Sequence, residues 1–101
     1  YYFGQMMYSF DTTKRFDKAL KQCKKRGYPL EKLREAIKIL VETGSLPQKY
    51  HPHILHGNHE GEWEAHIEPD WLLVWEQNDD KLTLLMLTTG THSDIYGKTR
   101  R

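Results

Sequence analysis

Two titratable side chains stand four residues apart in the stretch HIEPDWLLVW, residues 66–75. His66 and Asp70 flank Pro69, and a continuous apolar run typical of a buried strand follows at once. An imidazole titrates near neutral pH and can therefore serve as a general acid or a general base. A buried strand would hold both side chains rigidly, as positioning catalysis requires. The stretch therefore predicts either a structural turn or the edge of an active site.

A third candidate, His92, lies in TTGTHSD, residues 88–94, just after the last predicted strand. If that strand pairs antiparallel with residues 71–75, its end lies beside Asp70. We therefore expect His66, Asp70 and His92 to converge at one edge of the sheet. A hydrogen-bonded surface histidine is the simpler explanation for either histidine alone, but the convergence of all three residues favours a catalytic group.

Four of the six histidines crowd a connection rich in proline and glycine, residues 45–62. They are His51, His53, His56 and His59. Histidine is a common metal ligand, but this spacing matches no closed zinc site. The single cysteine, Cys23, lies on the apolar stripe of a predicted helix, where a thiol packs in a core and does not react. We therefore expect neither a metal ion nor another cofactor.

Several familiar catalytic signatures are missing from the sequence: the GxSxG nucleophile elbow, an exposed Cys/His pair, and a Walker-type glycine loop. Metal-free cleavage of RNA fits the histidines and the aspartate. A base would remove the 2′-OH proton, and an acid would protonate the leaving 5′ oxygen. A cation or a dipole would stabilise the phosphorane charge between these two events.

Hydrophobic periodicity predicts two helices in the first half of the chain. Residues 7–10 are expected to form a short strand, and Asp11 to cap a helix that runs to about Arg26. A second helix is expected to begin near Leu30 and to end at Gly44, where glycine accepts a left-handed conformation. Two helices this close in sequence most simply form an antiparallel hairpin.

From residue 62 onward the hydrophobic period becomes two. Residues 62–68 predict a strand with one buried face, residues 71–75 a central strand, and residues 81–88 the returning strand. The connection 45–62 shows no periodicity and is expected to lack regular structure. The order β-α-α-β-β-β predicts an α+β fold, in which two helices pack on one side of a twisted, mainly antiparallel sheet.

The net charge of +1 conceals a strongly basic segment. Residues 12–28 carry seven Lys or Arg residues against one acidic residue, Asp17, and so a local charge of +6. Such a segment favours a polyanionic partner such as an RNA backbone, although a solvated helix face is the simpler explanation. The predicted RNA contacts are Lys14, Arg15, Lys18, Lys21 and Lys25.

A chain of 101 residues fits one domain. We assign residues 7–101 to it and set residues 1–6 aside as an artificial extension. No apolar run approaches the roughly 18 residues of a membrane span, and no signal-peptide pattern opens the chain. A lone cysteine can form no internal disulfide, which favours a reducing cytoplasm.

Three motifs together carry a resemblance to a known family. YHPHILHG, EWEAHIEPDWLLVW and TTGTHSDIYG occur in this order and spacing. The chain thereby resembles the YafQ branch of the RelE superfamily, small bacterial toxins that cleave mRNA in the ribosomal A site. The resemblance spans about residues 7–97. It implies a RelE-like microbial ribonuclease fold and endoribonuclease activity.

The resemblance implies roles for particular residues. The family's catalytic positions correspond to His53, His66, Asp70 and His92. Trp71 and Tyr96 correspond to positions that bind substrate. Tyr96 stands where the family usually has a phenylalanine that packs on an mRNA base, and a phenol ring stacks equally well. The other histidines of the loop have no counterpart.

The resemblance also implies partners. They are the ribosome with its A-site ribosomal RNA, the mRNA, and a cognate antitoxin of the DinJ or RelB kind. DNA would be contacted only through the antitoxin, and no membrane is involved.

One substrate-binding position, Thr88, departs from the family pattern, which commonly has arginine two residues before the glycine of GTH. An arginine there would hold the developing phosphorane charge. Another cation, Lys98 or Arg100, takes its place, or the chain is a slower enzyme, or the residue was altered to make a toxin producible. Glu64, where relatives often carry aspartate, could support the site, but its strand position predicts an exposed side chain.

Two other functions stay open. One is a nucleic-acid-binding regulator that uses the basic helix and the sheet, and the other is a toxin homologue with weakened catalysis. A pure binding protein gains little from clustered imidazoles that are mostly neutral at pH 7, so the histidines favour the nuclease.

Overall fold

The computed structural model describes residues 7–57 and 61–97. The strands are β1 (Ser9–Thr12), β2 (His53–Ile54), β3 (Glu62–Glu68), β4 (Trp71–Asn78) and β5 (Thr83–Gly90). The helices are α1 (Lys14–Lys25), α2 (Leu30–Thr43) and α3 (His92–Tyr96), with a 3-10 turn at Gln48–Tyr50. The described residues form one sheet in the order β1-β5-β4-β3-β2, in which only β1 and β5 pair in parallel. The predicted α+β fold is confirmed.

The start of α1 differs from the prediction. Asp11 lies inside β1, and its carboxylate accepts a hydrogen bond from the backbone N–H of Thr12. The N-cap is Thr13, whose hydroxyl accepts from the backbone N–H of Phe16. The expected cap at Asp11 is wrong because β1 continues along β5 as far as the pair Thr12 and Met86. That pairing is a long-range contact, which local periodicity does not reveal.

Both long helices cover the same face of the sheet. Phe16 and Cys23 of α1, with Leu33 and Leu40 of α2, join one buried cluster that includes the inward side chains of β3, β4 and β5. The predicted end of α2 at Gly44 is confirmed by a φ of 78°. A side chain there would also collide with the Tyr8 ring, since a Cβ would lie 2.6 Å from it.

A groove remains open between the two helices and β1. Its walls are apolar, and its rim carries charged side chains of both signs. The apolar walls include Met7, Phe10, Leu20, Leu30, Ile37 and Val41. Met7 and Phe10 are about half exposed, so the groove leaves hydrophobic surface in contact with solvent.

The predicted central strand is confirmed. The first five residues of β4, Trp71 to Trp75, are all buried. The side chains on both faces of this part of the strand are therefore shielded from solvent. The returning strand is Thr83–Gly90, two residues later than predicted. Leu82, with a φ of 54°, completes the turn that delays it.

Three short elements were not predicted. Within the expected irregular loop, Tyr50 is buried in the 3-10 turn, and β2 pairs His53 with Glu64 of β3. The five-residue helix α3 follows β5 directly and begins with a capping box formed by Thr91 and Asp94. All three elements are too short to show a hydrophobic period. Within the described residues, none of the helices has the length and apolar character needed to span a membrane.

Candidate active site

The face of the sheet opposite α1 and α2 carries the candidate site. One row of direct cross-strand partners on this face consists of His53, Glu64, Val74 and Thr88. His66 and Gly90 lie in the next row, two residues along the strands. Directly opposite residues share a face, and the two rows are about 7 Å apart. The sheet therefore gathers chemistry-bearing side chains from several strands on one surface.

Asp70 and His92 are in hydrogen-bond contact at the edge of this surface. Asp70 lies in the turn between β3 and β4, and His92 is the first residue of α3. Asp70 Oδ1 accepts from the backbone N–H of His92 at 3.0 Å and lies 2.5 Å from His92 Nδ1. These two contacts, the backbone one first, lower the pKa of Asp70. The carboxylate thus fixes the orientation of the imidazole and leaves Nε2 for proton exchange with a substrate.

His66 lies next to two other imidazoles. Its ring centroid lies 5.9 Å from that of His92 and 5.9 Å from that of His51, and both contacts are edge-on. The predicted convergence of His66, Asp70 and His92 is therefore what the structure shows. His51 was assigned no role from the sequence. The position of its ring depends on a left-handed backbone conformation at His51, with a φ of 49°. The proline that follows in the sequence does not predict this conformation.

His53 belongs to the same surface but has different partners. Its Nδ1 lies 3.0 Å from the backbone oxygen of His51, and its Nε2 lies 3.1 Å from Glu64 Oε1. Among the described residues, its recorded contacts do not include Asp70 or His92. His53 is thus connected to the other histidines through His51 and stands in the neighbouring row of the sheet.

Glu64 is buried, with 6% of its surface exposed, so the expectation of an exposed strand glutamate is wrong. Its Oε2 accepts a hydrogen bond from the Tyr96 hydroxyl while Oε1 faces His53. Burial, followed by this bond to Glu64, raises the pKa of Tyr96 well above its usual range. The cover comes from β2 and α3, two of the elements that periodicity missed. The three side chains form one connected chain from phenol to carboxylate to imidazole.

Trp71 does not reach the surface. Only 1% of it is exposed, its Nε1 donates to Thr89 Oγ1 at 2.9 Å, and Tyr28 packs edge-on at 5.0 Å. The prediction that Trp71 contacts substrate is therefore not supported in this structure, where the ring is a core residue. By fixing the start of β4, it holds the adjacent Asp70 in position.

Helix α1 borders the site and is not remote from it. The face of α1 that lies against β5 and α3 carries Arg15 and Lys18, and Arg26 follows at the C-cap of the helix. The remaining predicted RNA contacts, Lys14, Lys21 and Lys25, are exposed on the outer part of the helix. Arg15 and the nearly buried Thr88 line the same clefts. Lys98 and Arg100, the substitutes considered for the missing arginine, lie outside the described residues.

Arg26 fastens α1 to α3. Its guanidinium donates two hydrogen bonds to the Asp94 carboxylate, at 2.6 and 3.1 Å. This pairing, together with the backbone and hydroxyl of Thr91, holds the pKa of Asp94 far below its usual range. The contact positions the short helix that carries His92 at one end and Tyr96 at the other.

Metal binding has limited support within the described residues. No group of three or more His, Cys, Asp or Glu side chains in residues 7–57 and 61–97 is arranged to hold an ion. His59, the last histidine of the crowded loop, lies outside those residues.

Comparison with known proteins agrees with the fold and with the motifs. The family model described as bacterial toxin of type II toxin-antitoxin system, YafQ, matches residues 8–97. The mRNA interferase toxin YafQ of Escherichia coli K12 is 35% identical over 83 residues, which cover 81% of this chain and 88% of that protein.

Two solved structures extend the comparison. The first is the DinJ-YafQ toxin-antitoxin complex of E. coli, with 30% identity, a TM-score of 0.82, and coverage of 90% of this chain and 99% of the matched chain. The second is a metal-bound toxin from Helicobacter pylori, with 35% identity, a TM-score of 0.80, and coverage of 88% and 99%. The predicted family and its ribonuclease class are confirmed. By sequence and by fold, the chain belongs to the YafQ family of bacterial toxins of type II toxin–antitoxin systems.

Proposed function

We propose that this chain is an mRNA interferase that cleaves mRNA in the A site of the ribosome. The observation that supports the proposal most is the contact between Asp70 and His92, with the His66 ring beside it. Two imidazoles, one of them held by a carboxylate, are the groups that acid–base cleavage of RNA requires. The E. coli relative that carries the name mRNA interferase supports the same substrate class.

The mechanism follows from the chemistry of a ribonucleotide. One imidazole removes the proton of the 2′-OH, and the 2′ oxygen attacks the adjacent phosphorus. The bond from phosphorus to the 5′ oxygen breaks as the second imidazole donates its proton to that oxygen. The products are a 2′,3′-cyclic phosphate and a 5′-hydroxyl end, and no metal ion takes part. Asp70 holds the His92 ring in one orientation throughout this cycle.

The surroundings of the site suit a substrate presented by a larger partner. The histidines lie on an open surface, where a half-exposed Tyr96 ring offers a face for base stacking. Arg15 and Lys18 extend positive charge along the neighbouring cleft. We infer that the ribosome supplies the orientation of the mRNA that so shallow a surface does not impose.

We also propose that a cognate antitoxin binds this chain. The relative in the DinJ-YafQ toxin-antitoxin complex supports a protein partner of this kind. The open apolar groove between α1, α2 and β1 is consistent with such a partner. Large contiguous patches of exposed apolar surface usually mark sites of protein contact. DNA would be reached through the antitoxin and not by this chain.

The mechanism is tested on programmed ribosomes with a synthetic mRNA in the A site. Asp70→Asn and His92→Gln should each lower the cleavage rate by about 10²–10⁴-fold, because each removes part of one acid–base group. Ribosome binding should be unchanged, since neither side chain belongs to the basic helix. Lys81→Gln, at an exposed turn on another surface, serves as the control and should cleave at the normal rate.

Two further conditions separate this mechanism from metal-assisted hydrolysis. A 2′-deoxy nucleotide at the scissile position should block cleavage, because the nucleophile is missing. Chelation by EDTA, at a level that leaves ribosomes intact, should leave the rate unchanged. Efficient cleavage of the 2′-deoxy substrate would overturn the mechanism and return a metal hydrolase to consideration.

A further inference from the structure

The proposed reaction needs a positive charge that the histidines alone do not supply. Attack by the 2′ oxygen concentrates negative charge on the phosphorane oxygens, and a cation fixed in place beforehand stabilises that charge most. The row that contains Thr88 lies about 7 Å from the row that contains His66, given the rise of a strand. Thr88 itself is 4% exposed and uncharged, so the cation must come from a neighbouring element.

Arg15 is a cation of α1 that lies beside Thr88. It lines two adjoining clefts, and Thr88 lines both of them with it. One guanidinium N–H donates to the backbone oxygen of Ile95 at 3.2 Å, which fixes the group beside α3. Its positive charge also acts on the Tyr96 phenol, where it opposes the rise in pKa. Arg15 is therefore held on the same side of α3 as the proposed base-stacking ring.

Other cations of the cleft are less suited to this role. Both terminal nitrogens of Arg26 are engaged by the Asp94 carboxylate, which neutralises it. Lys18 is exposed, and an ammonium on a flexible chain binds phosphate without the paired donors of a guanidinium. Within residues 7–57 and 61–97, no carboxylate pairs with Arg15, and its one recorded hydrogen bond uses one of five donors.

We propose that Arg15 is a catalytic residue that binds the non-bridging oxygens of the scissile phosphate and stabilises the phosphorane. The inference rests on the proposed function and names a part of its machinery. Arg15 then acts from helix α1 across the cleft toward the surface of histidines. It does not serve only as one more positive charge on a basic helix.

The kinetic test uses Arg15→Gln with Lys24→Gln as a matched control, since both changes remove one positive charge from α1. Arg15→Gln should lower kcat about 10²–10³-fold, as expected for loss of one donor to the transition state, while ribosome affinity falls no more than in the control. Arg15→Lys should recover part of the rate, because it restores the charge without the paired donors. Lys24→Gln should keep the normal kcat. Equal losses in Arg15→Gln and Lys24→Gln, or a normal kcat in Arg15→Gln, would overturn the inference.

A second measurement does not depend on ribosomes or on cleavage. A 2′-deoxy dinucleoside monophosphate is titrated into the chain while the Arg15 Nε–H resonance and the imidazole resonances of His66 and His92 are followed. The Arg15 resonance should shift with the same dissociation constant as those of the histidines. Histidine shifts without an Arg15 shift would overturn the inference and leave the proposed function standing. Failure of the wild-type chain to cleave mRNA would instead count against the proposed function, and the titration would still decide the place of Arg15.

Discussion

At the scale of single residues, the buried carboxylate of Glu64 is the feature with the strictest requirements. A buried carboxyl group needs hydrogen-bond partners, and Glu64 contacts the Tyr96 hydroxyl and the His53 ring. The Tyr96 hydroxyl is a donor that a phenylalanine at this position would lack. It ties the proposed base-stacking ring to the sheet and, through Glu64, to His53.

Tyr96→Phe should separate these two roles. Loss of the hydroxyl removes one donor to Glu64 and should lower the free energy of unfolding by roughly 1 kcal/mol. The stacking face remains, so cleavage should stay well above that of Tyr96→Ala, which also loses base stacking worth about 1–3 kcal/mol. Chemical denaturation and single-turnover cleavage measure the two effects. Tyr50→Phe, at a tyrosine with no recorded hydroxyl bond in the described residues, is the control.

The pH dependence of this difference has a definite sign. The pKa of Tyr96 is raised in the fold, so the contribution of the hydroxyl bond is fully present below the unfolded value of about 10. It is lost only as the pH rises through the raised value. The stability difference between wild type and Tyr96→Phe should therefore be constant from neutral pH to about pH 9. A difference that disappears in that interval would show that the bond is absent in solution.

Residue-level prediction from the sequence succeeded where a strand dictates position. His66, Asp70 and His92 follow from the pairing of β4 with β5, so reasoning about strands was enough to bring them together. The burial of Glu64 and the position of His51 depend on contacts with distant parts of the chain. Local sequence patterns do not predict such contacts.

At the scale of elements, α3 needs support from outside itself. A helix of five residues is unstable in isolation, since helix nucleation is costly. Its capping box and the Arg26–Asp94 pair supply the missing stability. Gly90 permits α3 to pack closely against the end of β5. Its φ is 141°, and a Cβ there would lie 2.9 Å from the Asp94 carboxylate.

Arg26→Gln should loosen α3 and so affect both stability and catalysis. The melting temperature should fall by a few degrees at pH 7, and kcat should fall because α3 positions His92 and Tyr96. The pKa of Asp94 is lowered in the fold, so the pair stabilises above the ordinary aspartate value of about 4 and is lost as the pH falls through the lowered value. The difference in melting temperature between variant and wild type should thus be constant at pH 6–8 and shrink in acid.

Lys25→Gln provides the comparison for this variant. It removes a neighbouring exposed charge with no recorded ion pair among the described residues, and it should leave the melting temperature unchanged. Equal losses of stability in the two variants would mean that net charge matters and the Arg26–Asp94 contact does not.

Long elements could be predicted from the sequence, whereas short ones could not. The helices α1 and α2, at 12 and 14 residues, show enough turns for their apolar stripes to be seen, and β3 and β4 show their burial patterns clearly. By contrast, β2 has two residues and α3 has five. For α3 one local signal existed, the spacing of Thr91 and Asp94 typical of a capping box.

At the scale of the whole molecule, positive charge is divided between two faces of the basic segment. Arg15 and Lys18 of α1 and the following Arg26 line the cleft, while Lys14, Lys21 and Lys25 lie outside it. We therefore expect the outer lysines to engage the RNA of a large partner while the candidate site acts on another strand. The local charge of +6 would then have two roles.

Reversal of the three outer lysines to glutamate should weaken ribosome binding steeply and leave the rate of cleavage by bound toxin nearly unchanged. The dependence of affinity on salt should become shallower, because fewer counterions are released from RNA. Affinity is measured by co-sedimentation with ribosomes across a range of salt concentrations. The matched control reverses Lys38, Lys49 and Lys81, which changes net charge equally on other surfaces. Equal weakening in both variants would leave α1 as a solvated face with no special part in binding.

The position of β5 in the sheet has a consequence for folding of the chain during its synthesis. β5 is the last strand in sequence, yet it lies between β1 and β4, and its partner β1 is the first strand. The nascent polypeptide therefore cannot finish its sheet until residues 83–90 have been synthesised, and pairing of such distant segments folds late. His92 follows only two residues after that strand. We therefore expect products of interrupted translation that end before this point to lack the assembled candidate site and to be harmless to the cell.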